Sequence, residues 1–402
     1  MNILYLCDEY PPGKHGGIGT YVSLIARQMV KLGHSVTVAG LYSPGYGGED
    51  EFEDEGVKVY RFRRGFDYKL FGNETSFLAR IGIRLLKDSG LMDRDIKKNL
   101  LSYKNKLEAL ISSHHIDIIE MPDYNDYIRF CNIYIPFPKL PVPIVIKLNG
   151  SLTYFAQEAG KSLPAHVKEM EQAIFEQAAA ISSASKYTAE KTTACFSYPN
   201  KISVIYNGIA TDLPYRNLPK KEQQVIFTGT LVEKKGIYQL AKAWNIVNKN
   251  MPDARLMILG KGSSQEVSSY LSNEAKGSVS FLGHVAAGKL YEYLSASVVS
   301  VFPSYAEAFS LAPLEAMACR TAVINSNRSS GPELVDDRIN GLLVNPDDVD
   351  QIASAIIYLL KNPDVCERLA RAGNEKVQDQ FEITKIAAKT ILFYGEVLNK
   401  KE

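Results

Sequence analysis

The sequence predicts an α/β protein built on two doubly wound parallel sheets. Short apolar, β-branched runs alternate with amphipathic stretches at helical spacing. The same strand–loop–helix–strand order starts twice, near residue 2 and again near residue 224. Between the two series, "VIYNGIATDLPYRNLPKKEQQ" (204–224) breaks the pattern with Asn-Gly, two prolines and a charge cluster.

Each element follows in turn. "NILYLC" is a buried strand and "DEYPPGKHGGIG" a Gly/Pro loop. "TYVSLIARQMVKLG" spaces Val22, Ile25, Met29 and Leu32 along one helical face and ends at Gly33, and "HSVTVAGL" is the next strand. The second series runs "QVIFTGTLVEKKG", the helix "IYQLAKAWNIVN", then the strands "ARLMILGKG", "VSFLGHV" and "SVVSVFPS". The expected organisation is two facing Rossmann-like domains, residues 1–206 and 207–380, with ligand-binding loops lining one cleft. The terminal helix, residues 381–402, is expected to pack back on the first domain.

Composition bounds the function. With 46% hydrophobic and 23% charged residues and a net charge of +1, the chain is globular and carries no bulk field suited to nucleic acid. Five scattered cysteines without a CxxC argue for free thiols in a reducing compartment. Neither a signal-peptide layout nor a long apolar span is visible, so the expected location is cytoplasmic, or peripheral on the inner membrane face. The run "EDEFEDE" (49–55) holds six acids and reads as a solvated loop. Residues 57–106 then hold thirteen Lys/Arg against five Asp/Glu, and their amphipathic stretch is the candidate for contact with an anionic membrane.

The most informative stretch is "PSYAEAFSLAPLEAMAC" (303–319). Pro313 suits a first helical turn, so Glu307 is expected in the loop after a strand and Glu315 in the first turn of the next helix. Backbone N–H groups near Ser310 and Leu311 suit a phosphate there. Carboxylates would repel that phosphate, and so they suit hydroxyls on either side of it. Hydroxyls flanking phosphates describe a nucleotide sugar. The plainer reading keeps Glu315 as a dipole-matched helix residue and Glu307 as a solvated one.

Several fingerprints are absent. The loops "GKHGGIG" and "GKGSSQ" do not complete GxGxxG, "GTLVEKKG" is not a P-loop, and neither HExxH nor Cys/His metal spacing occurs. Positive features remain: Gly16, Gly17 and Gly19, which let backbone approach a ligand and lead into a helix N-terminus, and Lys235, placed to pair a diphosphate after the first strand of the second series.

Taken in order, "PPGKHGGIGTYV", "VIYNGI", "FTGTLVEKKGIYQLAKAW", "LMILGKG", "VSFLGHV", "PSYAEAFSLAPLEAMAC" and "GPELVDDRINGLLV" resemble the retaining glycosyltransferases of family 4 over essentially the whole chain. The resemblance implies the GT-B fold, two facing Rossmann-like domains with the catalytic cleft between them. It implies a nucleotide-diphosphate-sugar donor, no cofactor and no metal. Glu307 would hold the donor sugar, with Phe309, Ser310 and Leu311 lining sugar and phosphate. Glu315 would accept from the ribose, Lys235 and Lys234 would neutralise the diphosphate, Gly16 and Gly17 would approach it, and His284 would border the base.

Three positions depart from the family pattern. Thr230 stands where the family carries a second diphosphate arginine. Asn149 stands where a histidine is often found, and asparagine is no base at neutral pH. Arg320 replaces a common glycine. The acceptor, a glycan or lipid-linked molecule, is expected against the first domain near Glu120, Asp123 and Asn149, with Glu120 at a strand's carboxyl edge. The alternatives are a non-catalytic nucleotide-sugar-binding protein on a degenerate GT-B scaffold, or an epimerase or phosphorylase of the same architecture.

Overall fold

Strand β1 (Asn2–Leu6) shows how the sequence dictates the scaffold. After its first residue it is buried, because parallel partners flank it on both sides: Leu4 lies beside Thr37 of β2 (Ser35–Tyr42) and beside Ile119 of β5 (Ile118–Pro122). A strand covered on both faces has no use for alternation, hence its continuous apolar run. A computed structural model describes residues 1–13, 15–65, 89–213 and 218–400 of the chain. Of the basic stretch 57–106, residues 66–88 lie outside the described residues.

The chain forms two compact units, Met1–Tyr206 with Ile386–Glu402, and Asn207–Lys385. The first holds an eight-stranded sheet in the order β3-β4-β2-β1-β5-β6-β7-β8. Its further strands are β3 (Glu51–Asp54), β4 (Val57–Arg63), β6 (Ile144–Leu148), β7 (Ala180–Ser183) and β8 (Ser203–Val204). All pairings are parallel except β3 with β4. The second unit holds a six-stranded parallel sheet, β11-β10-β9-β12-β13-β14. Its strands are β9 (Gln224–Thr228), β10 (Arg255–Leu259), β11 (Val279–Gly283), β12 (Val299–Phe302), β13 (Ala322–Ser326) and β14 (Leu342–Val344). Trp244 is fully buried in that unit's core, and its indole donates to Ser278 Oγ at 2.9 Å.

Two expectations are corrected. The acidic run is solvated but is no loop: Glu49, Asp50, Glu51, Glu53 and Glu55 are exposed, and Glu51–Asp54 is an edge strand, turned onto β4 through Glu55 (φ 49°) and Gly56 (φ 85°). Among the run's acids, Asp54 is partnered by Arg27 (2.8 Å) and the Tyr10 hydroxyl (2.7 Å), and Asp50 by Arg63 (2.6 Å). The helix of the Glu-rich element starts at Leu311, so Glu315 stands in its second turn rather than its first. Pro313 is tolerated at the third helical position because the first four N–H groups have no intrahelical partner to lose.

The helix Leu91–Ser113 buries Met92, Ile96, Leu100, Tyr103 and Leu107 and exposes Arg94, Lys97, Lys98 and Lys106. All five cysteines are buried free thiols. Among the described residues no helix is long and apolar enough to cross a membrane.

Candidate active site

In the second unit the strand order changes direction between β9 and β12. Loops leaving two such strands diverge, and open α/β sheets bind ligands in the crevice so formed. The loop after β9 carries Thr230, Lys234 and Lys235, and the loop after β12 carries Glu307. Backbone contacts draw them together. Tyr305 N donates to Lys234 O at 2.8 Å. Gly236, at φ +68°, lies so close that a Cβ would stand 1.9 Å from the Pro303 carbonyl oxygen. Only glycine meets both demands.

Lys235 Nζ consequently donates to Glu307 Oε1 at 2.5 Å, with 26% and 16% of the side chains exposed, so the pair remains reachable from solvent. Burial alone would raise the Glu307 carboxyl. Lys235, Lys234 and a bond from Ser304 outweigh it and hold the group below the usual carboxylate range. Desolvation pushes the Lys234 ammonium down, Glu307 opposes this and Lys235 adds to it.

Ser310 is the N-cap of the helix Leu311–Ala318, and its own side chain makes no capping bond. Phe309 is buried with its ring 5.8 Å from Phe381. Burial pushes the Glu315 carboxyl up to about 7, and among the described residues no hydrogen bond or ion pair engages it. The far end of the helix is held by Asn374, whose amide donates to Met317 O (3.1 Å) and Ala318 O (3.0 Å). Thr230 is exposed at the start of the β9 loop, and His284 is exposed just past β11, two strands from β9.

In the first unit the corresponding reversal lies between β1 and β5. Gly16 is the N-cap of the helix Gly17–Lys31. Glu9, which the sequence reading missed, supplies its carboxylate Oε1 to Gly19 N at 2.8 Å, so one orphan donor of this helix already meets an anion. An acid eight residues before a Gly-rich helix start was the available signal. A Cβ on Gly19 would lie 2.0 Å from Glu9 O, whereas one on Gly17 would meet nothing within 4 Å. Gly19 is therefore required by the fold, and Gly17 borders open space.

Asp123 and Glu120 do not reach the surface. Asp123 is 1% exposed and accepts from Asn149 N (2.7 Å) and Gly150 N (3.1 Å). Burial raises its carboxyl to about 7 against those bonds. It thereby fixes Asn149, whose side-chain amide also donates to Lys147 O at 3.2 Å. Glu120 corrects the strand-end expectation: it is mid-strand and 4% exposed, and it accepts from Tyr394 (2.7 Å) and Tyr21 (3.4 Å). Desolvation raises its carboxyl, opposed by Lys147 and the two tyrosines. Beside this reversal lies a cavity of about 220 Å³, lined by apolar Leu6, Leu41, Leu100 and Phe137 and by charged and hydroxyl-bearing side chains.

Two α/β sheets, parallel throughout except at β3, each with loops diverging at a strand reversal, are the architecture that the GT-B resemblance implies. Comparison with known proteins carries this further. Residues 15–213 match "Glycosyltransferase Family 4" and residues 211–376 match "Glycosyl transferases group 1". The chain belongs to glycosyltransferase family 4. A glycogen synthase of Mycobacterium tuberculosis is 26% identical over 98% of this chain and 94% of its own length. Sucrose-phosphate synthase from Thermosynechococcus elongatus shares the fold at a TM-score of 0.76, with 22% identity over 99% of both chains. Anabaena HepE, solved in complex with UDP and glucose, does so at a TM-score of 0.70, with 16% identity over 98% of this chain and all of the other.

Proposed function

We propose that the protein transfers a hexosyl group from a nucleotide-diphosphate sugar to a glycan or lipid-linked acceptor, with retained anomeric configuration and without a metal. The observation carrying this reading is the Lys235–Glu307 pair at the β9/β12 reversal, with Glu315 unengaged in the helix that follows. Glu307 accepts from donor-sugar hydroxyls, against Phe309. Lys235 and Lys234 take the diphosphate with the amides of Ser310 and Leu311, compensating for the uncharged Thr230. Glu315 accepts from the ribose and His284 borders the base. Gly16 and Gly17 approach the diphosphate, and Asn149 hydrogen-bonds the sugar.

In the transfer step an acceptor hydroxyl oxygen bonds to the anomeric carbon on the face the diphosphate leaves. The bond from that carbon to the diphosphate oxygen breaks, and the acceptor proton passes to the departing phosphate. No side-chain base is needed, which suits an asparagine at position 149. Lysines and helix amides supply the charge stabilisation. The cationic face of Leu91–Ser113 adds a peripheral contact with anionic lipid, read by sedimentation with anionic against zwitterionic vesicles.

The deciding experiment is a thermal-shift panel of UDP, GDP, ADP and CMP, with and without EDTA. UDP comes first, because HepE was solved with it. A ligand at 100-fold its Kd stabilises the fold by about 2.7 kcal/mol. An EDTA-insensitive shift with one diphosphate supports the reading. No shift with any nucleotide rejects it in favour of a phosphorylase, and a shift lost in EDTA rejects metal independence.

A further inference from the structure

The cavity beside the β1/β5 reversal sits where an open α/β sheet binds ligands. It also lies next to Asn149: Leu6, Ile18 and Pro122 line both this cavity and a smaller void that Asn149 borders. At about 220 Å³ it is smaller than the ~300–1,000 Å³ of pockets for drug-sized ligands. That volume suits one ring rather than an oligomer.

Its chemistry is mixed in a particular way. Three carboxylates (Asp8, Glu9, Asp126) and two guanidiniums (Arg64, Arg129) share the lining with Tyr124. Internal bonds fix several of them in place. Asp8 Oδ1 accepts from Leu41 N at 2.8 Å, and Glu9 Oε1 from Gly19 N at 2.8 Å. Arg129 donates to the Tyr124 hydroxyl at 3.4 Å and lies 3.7 Å from Asp126 Oδ1. Carboxylates only accept and guanidiniums only donate. A partner serving both must itself donate and accept, as hydroxyls do, while offering C–H faces to the apolar lining. A phosphate could use the guanidiniums but would bring negative charge against three carboxylates.

We infer that this cavity seats a single uncharged sugar unit of the acceptor and discriminates against phosphorylated sugars. The inference rests on the reading that the protein is a sugar transferase whose first unit holds the acceptor. It adds the acceptor's chemical class.

The test follows nucleoside diphosphate release from UDP-glucose, or from the sugar of whichever nucleotide binds, by the full chain. Release is measured in water alone, with glucose, mannose or maltose, and with glucose 6-phosphate, mannose 6-phosphate or maltose 1-phosphate at matched concentrations. The expected result is acceleration by a neutral sugar exceeding that by its phosphate about tenfold or more, since like-charge juxtaposition costs more than the energy of one decade. Leu41→Trp, which fills the cavity, should raise KM for the neutral sugar about tenfold, a difference of about 1.4 kcal/mol. Should that variant not fold, Arg129→Ala on the half-exposed side of the cavity should raise the same KM. Equal or greater acceleration by the phosphates, acceleration by neither class while slow release in water persists, or an unchanged KM in folded variants each overturns the inference alone. Absence of both nucleotide binding and release in water overturns the transferase reading beneath it.

Discussion

Lys235 reaches Glu307 across 2.5 Å although 72 residues separate them in the chain. Each is the natural partner of a different part of a nucleotide sugar, the ammonium for phosphate and the carboxylate for hydroxyls. Here they satisfy each other, so neither charge is left uncompensated. The pair thereby ties the β9 and β12 loops together at a fixed spacing. Gly236 and the Tyr305–Lys234 backbone bond hold that spacing independently of the ion pair.

The two members should therefore separate by mutation. Glu307→Ala should lower transfer by about 10²–10³, the scale of losing one stabilising contact in a transition state, while nucleoside diphosphate still binds. Lys235→Ala should instead weaken nucleoside diphosphate binding by about 1.5–3 kcal/mol, as for a hydrogen bond to a charged group. Isothermal titration with the diphosphate and initial-rate assays distinguish the two. Retained transfer in Glu307→Ala removes that residue from the donor sugar.

Glu315 should impose a pH dependence of known sign. Its folded carboxyl is pushed up to about 7, against an ordinary 4.5. Between those values the folded chain keeps a proton that the unfolded chain has released. Stability therefore declines as pH rises from about 4.5 through about 7 and is flat above. Glu307, held below the ordinary range, contributes stability present above 4.5 and lost only in acid, so it adds no slope near neutrality. Glu315→Gln should remove this residue's share of the decline, leaving that of Asp123, whose carboxyl is also raised to about 7, and its melting temperature should gain on the wild type between pH 5 and pH 8. Nucleoside diphosphate affinity should rise through pH 7 in the wild type, and be weaker and flat in the variant. Parallel stability curves would exclude this account.

Arg320 has a local explanation. It follows the C-cap Cys319 at φ 52°, and its N–H bonds Met317 O while that of Thr321 bonds Ala316 O. This is a left-handed helix stop, where glycine carries no Cβ penalty. Because Arg320 is exposed, Arg320→Gly should stabilise the protein by about 1 kcal/mol, a rise of roughly 2–4 °C in melting temperature, with transfer rates unchanged. A fall in melting temperature in a differential scan would show that the arginine makes compensating contacts.

The scaffold was legible because parallel strands buried on both faces leave unbroken apolar runs, as in Asn2–Leu6 and Val299–Phe302. The Glu307 loop was legible because Pro303 and Pro313 punctuate it. The acidic strand was hidden by its charge, although Glu55-Gly56 between "EFED" and "VKVYRFR" is a two-residue hairpin signal. Glu9 was missed because its capping role spans a loop rather than the adjacent turn. No local pattern can announce the bond from Tyr394 to Glu120, whose partners lie 274 residues apart.

That last bond makes the C-terminal helix part of the first unit's core. Helix Ile383–Asn399 belongs to the first unit from Ile386 onward. There the Tyr394 hydroxyl donates to Glu120 Oε2 at 2.7 Å, with both side chains buried. Tyr394→Phe keeps the ring and deletes only the donor, leaving a buried carboxylate oxygen short of a partner. The expected cost is about 1–3 kcal/mol. Tyr394 lowers the Glu120 carboxyl against desolvation, so its loss lets that carboxyl rise further. The deficit relative to wild type should then widen as pH rises, because the variant fold holds its proton longer. Tyr21→Phe, removing a 3.4 Å bond to the other oxygen, should cost less. Urea unfolding at two pH values reads these energies, and hydrogen exchange across residues 386–399 should accelerate in Tyr394→Phe ahead of global unfolding. Unchanged exchange there would mean that apolar packing of the helix, through Ile386, Ala387 and Val397, holds it without the bond.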